Sequence, residues 1–314
     1  MSGRVLSSDD LRFWDDNGYV VVRNAAPPEN IEAVRQAIWE FTGLSPDRPE
    51  GWNRPPPRRN GMEELNGAGM IEMYHHPALW ANRQLPRIHG AFADIWGTEA
   101  LWVTIDRANF NPPNRDGRQF TGFIHWDIDT SEDPLPFDVQ GVLALTDVGE
   151  GDGGFQCVPG MPKLFPEWVK TQPADRDPNR PDTTGLPIEA VPLKAGELLI
   201  WTSQLAHGVS PNRSDRPRMA QYIAMSPAQE ENEAARRWRI DSWLHRTPPQ
   251  GDPFPGDPRQ WEQRFGTTPA LTPLGRKLLG LDRWEQAVAV AERAADMTLD
   301  QARGRKRATP GFAA

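Results

Sequence analysis

A single cysteine, Cys157, occurs in the 314 residues. A disulfide framework is therefore excluded, and a reducing compartment is the natural setting. No apolar run approaches the ~20 residues that a membrane-spanning helix needs. The opening MSGRVLSSDDL has no apolar core of the kind a secretory signal carries. A soluble, cytoplasmic protein is expected. Positive charge is also in short supply: 35 Lys and Arg stand against 43 Asp and Glu, a formal net charge of −8. That balance argues against nucleic acid or an anionic membrane surface as the main partner. The basic stretches RPPPRR and RGRKR are short and local.

What the chain does hold is proline (32), glycine (27) and tryptophan (13), with 38% hydrophobic residues. A real core is affordable, long ordered loops are implied, and the tryptophans point to a Trp-lined interior or pocket. Ser7 or Ser8 can cap a first helix, with Asp9 and Asp10 in its first turn and Gly18 stopping it. YVVVRN reads as a strand. After Pro28, the apolar residues Ile31, Val34, Ile38 and Phe41 share a helical face, and Gly43 ends it. Residues 46–61 read as a loop. From about 100 to 226 there are eight short strand-like runs: LWVTIDRANF, QFTGFIHW, VQGVLALTDV, GFQCVP, IEAVPL, GELLIWTS, QLAHGVS and RMAQYIAMS. Turn chemistry separates them, which predicts an antiparallel sandwich, jelly roll or barrel. The segment 159–187 reads as a surface excursion. After 227 a helix is expected over EENEAARRWRIDSWLH, then a loop, then a final amphipathic helix from 282 to 300 capped by Asp282.

Chemistry concentrates in TGFIHWDIDTS, residues 121–131. His125 and Asp127 are two apart, so in an extended segment both side chains share a face. His207, after the apolar LLIWT run, is the best third member. Two histidines and one carboxylate on one side of an ion leave positions open on the other, the facial triad of non-haem iron(II) oxygenases. Arg218 lies 11 after His207 and opens the last strand. Alternation puts it on one face with Ala220, Tyr222 and Ala224, leaving room for a dicarboxylate on its planar fork. Arg216 precedes Pro217 and belongs to the turn.

These residues give the chain a specific likeness. His125-x-Asp127, His207 and Arg218, supported by LRFWDDNGYVVVRN, GGFQCVPG and PNRSDRPR, resemble the phytanoyl-CoA dioxygenase-like family of iron(II)/2-oxoglutarate-dependent dioxygenases, over roughly residues 8–226. The resemblance implies a mainly β fold with flanking α, a double-stranded β-helix (jelly roll, cupin-like) with N-terminal and C-terminal helices. One domain over 1–302 is expected: a core of about 100–226, a helical N-terminal part 7–99 and a helical C-terminal extension 227–302, before a flexible tail 303–314. The resemblance also implies Fe(II) on His125, Asp127 and His207, and 2-oxoglutarate with its distal carboxylate on Arg218. Oxygen would be the other cosubstrate, succinate and CO₂ the coproducts, and hydroxylation of an unactivated C–H the usual outcome on a small-molecule substrate. A monomer or homodimer is expected. Two departures stand out. PGMP replaces the family's Pro-Gly-Ser-His, and Val209, followed by Ser210, stands where relatives carry a hydroxyl two residues after the distal histidine. Arg107 or Asn109 could then help hold the cosubstrate. Related halogenases place a small residue where this chain has Asp127, so the chain reads as an oxygenase.

Other polar residues have simpler readings. Asp129 fits a turn cap or a supporting role. His75 and His76 are adjacent, and adjacent side chains diverge in any regular element, so they cannot easily share an ion; a helix start or pocket wall suits them. His89 and His245 read as structural, and Cys157 as a small buried residue. Trp52, Trp126 and Trp201 line either pocket or core. Arg54, Arg58 and Arg59 read as a solvated loop, with a phosphorylated or CoA-linked substrate as the alternative. The rival function is a cupin-like metal-dependent binding protein or isomerase without oxygen chemistry, because divalent affinity alone does not select iron.

Overall fold

Helix α1, Ser8–Asn17, starts at a capping box in which Ser7 accepts from the Asp10 amide and Asp10 accepts from the Ser7 amide. It ends at Gly18, whose φ is 80°. A Cβ there would also sit 2.9 Å from Cγ of Pro162, so glycine is needed twice over. The structure, a computed structural model, describes residues 3–53, 69–115, 117–249 and 254–284. Helix α2 is Pro28–Thr42, and it buries Ile31, Val34, Ile38 and Phe41 as their spacing predicts. Helices α3, Pro77–Arg83, and α4, Pro86–Trp96, complete the N-terminal layer.

The strands, all paired antiparallel, are β1 Tyr19–Val22, β2 Met70–Ile71, β3 Leu101–Val103, β4 Ala108–Asn111, β5 Phe123–His125 and β6 Val139–Ala144. They continue as β7 Phe155–Cys157, β8 Glu189–Ala190, β9 Leu198–Thr202, β10 His207–Val209, β11 Arg218–Tyr222 and β12 Met225–Pro227. One sheet runs β1-β9-β6-β11-β4-β2, a second β5-β10-β7-β8, and β12 pairs β3. Two expected strands are each divided. Residues 101–110 break at Thr104–Arg107, and 218–226 breaks at Ile223–Ala224, where the chain passes from one partner strand to another.

Alternation along the six-stranded sheet sorts its side chains into two cores. Val142, Ala144, Leu199, Trp201 and Ala220 face the four-stranded sheet and meet Phe155 and Cys157 there. Val139, Leu143, Leu198, Ile200 and Met219 face the helices and join Ile38, Trp80 and Phe92. This is a jelly roll with helices packed on the outer face of its larger sheet.

Two expectations change. Within 159–187, helix α5, Met161–Trp168, buries Met161 and Phe165 in the inter-sheet core, so this stretch is not simply a surface excursion. PGMP opens that helix, with Gly160 as its left-handed N-cap. The C-terminal part contains α6, Glu233–His245, α7, Trp261–Phe265, and α8, Pro273–Leu279. Leu278 and Leu279 enter the helix-side core. Asp282 accepts two bonds from Arg276 at 2.7 Å, while most of the expected final helix and the 303–314 tail lie outside the described residues. Arg54, Arg58 and Arg59 lie outside them as well. Among the described residues, no helix is long and apolar enough to cross a membrane.

Candidate active site

β10 lies between β5 and β7, and His207 is paired in register with both His125 and Cys157. Paired residues share a face, so both imidazoles point between the sheets. Gly208 permits the close approach: a Cβ there would lie 1.9 Å from the Phe123 carbonyl oxygen. Trp126 points the opposite way. Its indole is buried against Phe165 and Trp168 at 5.7 and 5.6 Å, and Nε1 donates to the Gln204 carbonyl at 3.1 Å.

Asp127 closes the cluster. Oδ1 lies 2.8 Å from His125 Nε2, and Oδ2 lies 3.3 Å from His207 Nε2. One ligand atom from each of the three falls within 4.8 Å of the others. His207 Nδ1 sits 2.8 Å from the Leu205 carbonyl and donates to it, which fixes the ring with Nε2 toward the cluster. Burial pushes the Asp127 carboxyl up, but the bonds from His125 and His207 outweigh it and hold the group well below the usual carboxylate range. The donor set therefore fits a divalent cation: two imidazole nitrogens and a permanent carboxylate on one side, open space on the other. Phe155 stacks on His207 at 5.6 Å and Trp201 stands at 5.1 Å, giving the site a dry wall.

Arg218 opens β11 and is 4% exposed. Nη1 donates to Asn109 Oδ1 at 3.1 Å, and Nε is buried without a partner. Among the described residues, no carboxylate pairs with it. A buried cation without a counter-ion is costly, so this guanidinium fits a bound anion. Arg218 and the His–Asp–His cluster line one cavity of about 490 Å³, together with Val209, Phe155, Trp201, Gln140 and Tyr222. Val209 faces that cavity at the position of the missing hydroxyl. Ser210 Oγ is buried, unpartnered and not among the cavity-lining residues. Asn109, on the neighbouring strand, is the residue that meets Arg218.

One feature escaped the sequence reading. Asn179 brackets Asp127: its carbonyl accepts from the Trp126 amide at 2.8 Å, and Nδ2 donates to the Ile128 carbonyl at 2.9 Å. Arg176 adds bonds of 2.7 Å to Oγ1 and the carbonyl of Thr130. The only signal was the polar character of 170–187, which a solvated loop shares.

The remaining candidates lie elsewhere. Asp129 accepts from Ser131 and caps a turn. His76 caps α3 by accepting from the Ala78 amide. His75 contacts Ser242 Oγ and the Thr247 carbonyl, and burial lowers its pKa to about 3, so it is neutral. His89 donates to the Glu99 carbonyl and stacks on Trp284. Burial pushes the Cys157 thiol up to about 12. Trp52 packs on Trp39, away from the cluster.

A family model described as phytanoyl-CoA dioxygenase (PhyH) matches residues 14–220, a span that contains the cluster and Arg218. The chain belongs to the phytanoyl-CoA dioxygenase family. That family consists of iron(II)/2-oxoglutarate-dependent oxygenases. A Dictyostelium discoideum protein named for phytanoyl-CoA dioxygenase is 30% identical over 268 residues, covering 70% of this chain and 75% of the relative. Ava biosynthesis cluster protein O of Aspergillus versicolor is 25% identical over 249 residues, covering 71% and 80%. The structure of a hypothetical protein of Escherichia coli superposes with a TM-score of 0.63 at 15% identity, over 88% of this chain and 82% of that one. At that identity it supports the fold alone. α6, α7 and α8 lie beyond the stretch that the phytanoyl-CoA dioxygenase model matches.

Proposed function

We propose that the protein is an iron(II)/2-oxoglutarate-dependent hydroxylase of an unactivated C–H bond in a small-molecule metabolite. His125, Asp127 and His207 hold the iron, and Arg218 holds the distal carboxylate of 2-oxoglutarate. We also take residues 1–302, as the sequence suggests, to be one oxygenase domain. The observation that carries this reading is Arg218, a buried guanidinium that has no carboxylate partner among the described residues and shares a cavity with a His–Asp–His cluster. A metal-binding shell without oxygen chemistry has no use for it.

The bound iron and cosubstrate supply the oxidising power, with O₂ consumed and 2-oxoglutarate converted to succinate and CO₂. The chain's own residues prepare the site. Asp127 stays ionised across the physiological range because both imidazoles bond to it. Leu205 fixes the orientation of the His207 ring through Nδ1. Asn109 orients one arm of the Arg218 fork and leaves the other donors for a carboxylate. Phe155, Trp201 and Val209 keep water from the space between. Asp127 occupies the position that a halide would need, which favours hydroxylation over halogen transfer.

The test is anaerobic addition of iron(II) and 2-oxoglutarate, read by visible absorption, followed by succinate release in air with candidate metabolites. His125→Ala, Asp127→Ala and His207→Ala should each abolish iron binding and succinate formation. Full turnover by any of the three would overturn the assignment.

A further inference from the structure

Along β11 the inward side chains run Arg218, Ala220, Tyr222, and Ala224 continues the row. Arg218 and Val209 flank the same connection, residues 210–217, so Arg218 marks one end of the cavity. Tyr222 lies ~13 Å from it along the strand. β6 runs alongside: Ala144 is opposite Ala220, Val142 opposite Tyr222, and Gln140 comes next, opposite Trp201 on β9. Polar side chains therefore gather at the end of the cavity away from Arg218. They are Tyr222, Gln140, Thr104, Asp106, Arg107 and Asp138, with Phe254 from the C-terminal extension beside them.

Several of these groups lack partners. Among the described residues, neither the Gln140 amide nor the Tyr222 hydroxyl makes a hydrogen bond. Trp201 is 3% exposed, lines the same cavity opposite Gln140, and has a buried Nε1 without an acceptor. Among the described residues, the Asp138 carboxylate accepts only from the Val139 amide and Ser226 Oγ, and no cation pairs with it. Arg107 stands between two carboxylates, Glu72 at 3.1 Å and Asp106 at 3.5 Å, with Phe254 on its face at 4.6 Å. Arg83 reaches the Asp106 carbonyl and not its carboxylate. Burial pushes the Asp106 carboxyl up in spite of both arginines, so its ionised form is under-compensated and a bound cation would favour it.

Resting on the proposed function, charge then selects the substrate. Iron(II), Asp127, 2-oxoglutarate and Arg218 cancel formally, so the loaded inner end is neutral. At the outer end, among the described residues, the acidic side chains Asp106, Asp138 and Glu72 outnumber the guanidiniums of Arg107 and Arg83. We infer that Asp106, Asp138, Gln140 and Tyr222 form the substrate subsite, and that it takes a protonated amine or similar hydrogen-bonding cation in preference to a carboxylate, phosphate or CoA ester. The amine would lie among the carboxylates while the carbon chain reaches past Trp201 toward the His–Asp–His cluster. Phe254, outside the family-matched stretch, shapes the wall on the Arg107 side.

The experiment uses the full chain loaded with iron(II) and 2-oxoglutarate without oxygen. Equilibrium dialysis compares n-alkyl amines of six to ten carbons with alcohols and carboxylates of equal length. At least one amine should bind about tenfold tighter than its matched carboxylate, a difference of about 1.4 kcal/mol. Asp138→Asn, at an exposed position, and Asp106→Asn should each erase most of that preference, with circular dichroism verifying the folded state. Carboxylates binding as well as amines would overturn the inference, as would a preference that survives both substitutions or no amine binding at all. Failure of wild type to bind iron and 2-oxoglutarate would instead overturn the proposed function. Dialysis needs no turnover, so the two failures are separable.

Discussion

Arg218 shows how much rests on one side chain. Its first neighbours are Asn109 and open cavity, and its Nε has no partner. A charge-assisted bond to a carboxylate contributes about 1.5–3 kcal/mol. Arg218→Ala should therefore raise the KM for 2-oxoglutarate by roughly ten- to a hundredfold, measured from succinate release, while iron still binds. Arg218→Lys should recover only part, because an ammonium lacks the planar fork. An unchanged KM in Arg218→Ala would remove the residue from cosubstrate binding. The position was legible in the sequence because alternation along RMAQY puts Arg218 beside small residues on one face. The parity of Val209 and Ser210 was legible too. The sequence offered Arg107 or Asn109 as a further residue for the cosubstrate; that Asn109 meets the guanidinium depends on the register between β4 and β11.

Among the elements, the four-stranded sheet is the fragile one. β5 and β10 are three residues each, and Asp127 lies past the end of β5. What holds the aspartate is the 176–179 segment, through Asn179 and Arg176. Outer partners of metal ligands commonly contribute ten- to a hundredfold in affinity. Asn179→Ala should weaken iron binding by about tenfold in dialysis while the melting temperature moves little, because the side chain is exposed. Iron affinity equal to wild type would show that the backbone contact alone suffices. The sequence marked this stretch as an excursion because its grip is made largely by backbone groups. Such bonds leave no periodic pattern in the residues. The burial of Met161 and Phe165 was hidden for a related reason: α5 is short and its prolines read as loop.

At the scale of the whole molecule, the C-terminal extension is joined to the N-terminal layer by buried polar groups. Glu262 of α7 accepts from the Tyr74 and His75 amides at 2.6 and 2.7 Å. Burial raises its pKa from 4.5 to about 7. Between those values the folded chain holds a proton that the unfolded chain has released, so raising the pH favours unfolding. His75, whose folded pKa is lowered from 6.5 to about 3, acts in the opposite sense over an overlapping range. Comparison with Glu262→Gln separates the two. From pH 4.5 to 7 the stability of wild type relative to that variant should fall by about 3 kcal/mol, measured from urea midpoints. A constant difference across that range would show that Glu262 titrates normally. The extension also gives Phe254 to the cavity, a contribution that no local pattern in its Pro-rich surroundings announced.

The sequence by itself determined the strand alternation, a helix cap at Ser7 or Ser8 with a stop at Gly18, and the choice of His125, Asp127, His207 and Arg218 as candidates. Each of these follows from period, turn chemistry or side-chain type over a few neighbouring residues. Tertiary structure alone decided which strands pair, that His125 and His207 face each other across β5 and β10, and that Asn179 brackets Asp127. It also decided that Asp106, Arg107, Asp138 and Gln140 meet in one cavity. Those facts depend on groups separated by tens to hundreds of residues meeting at a few ångströms, and local sequence carries no record of such distances.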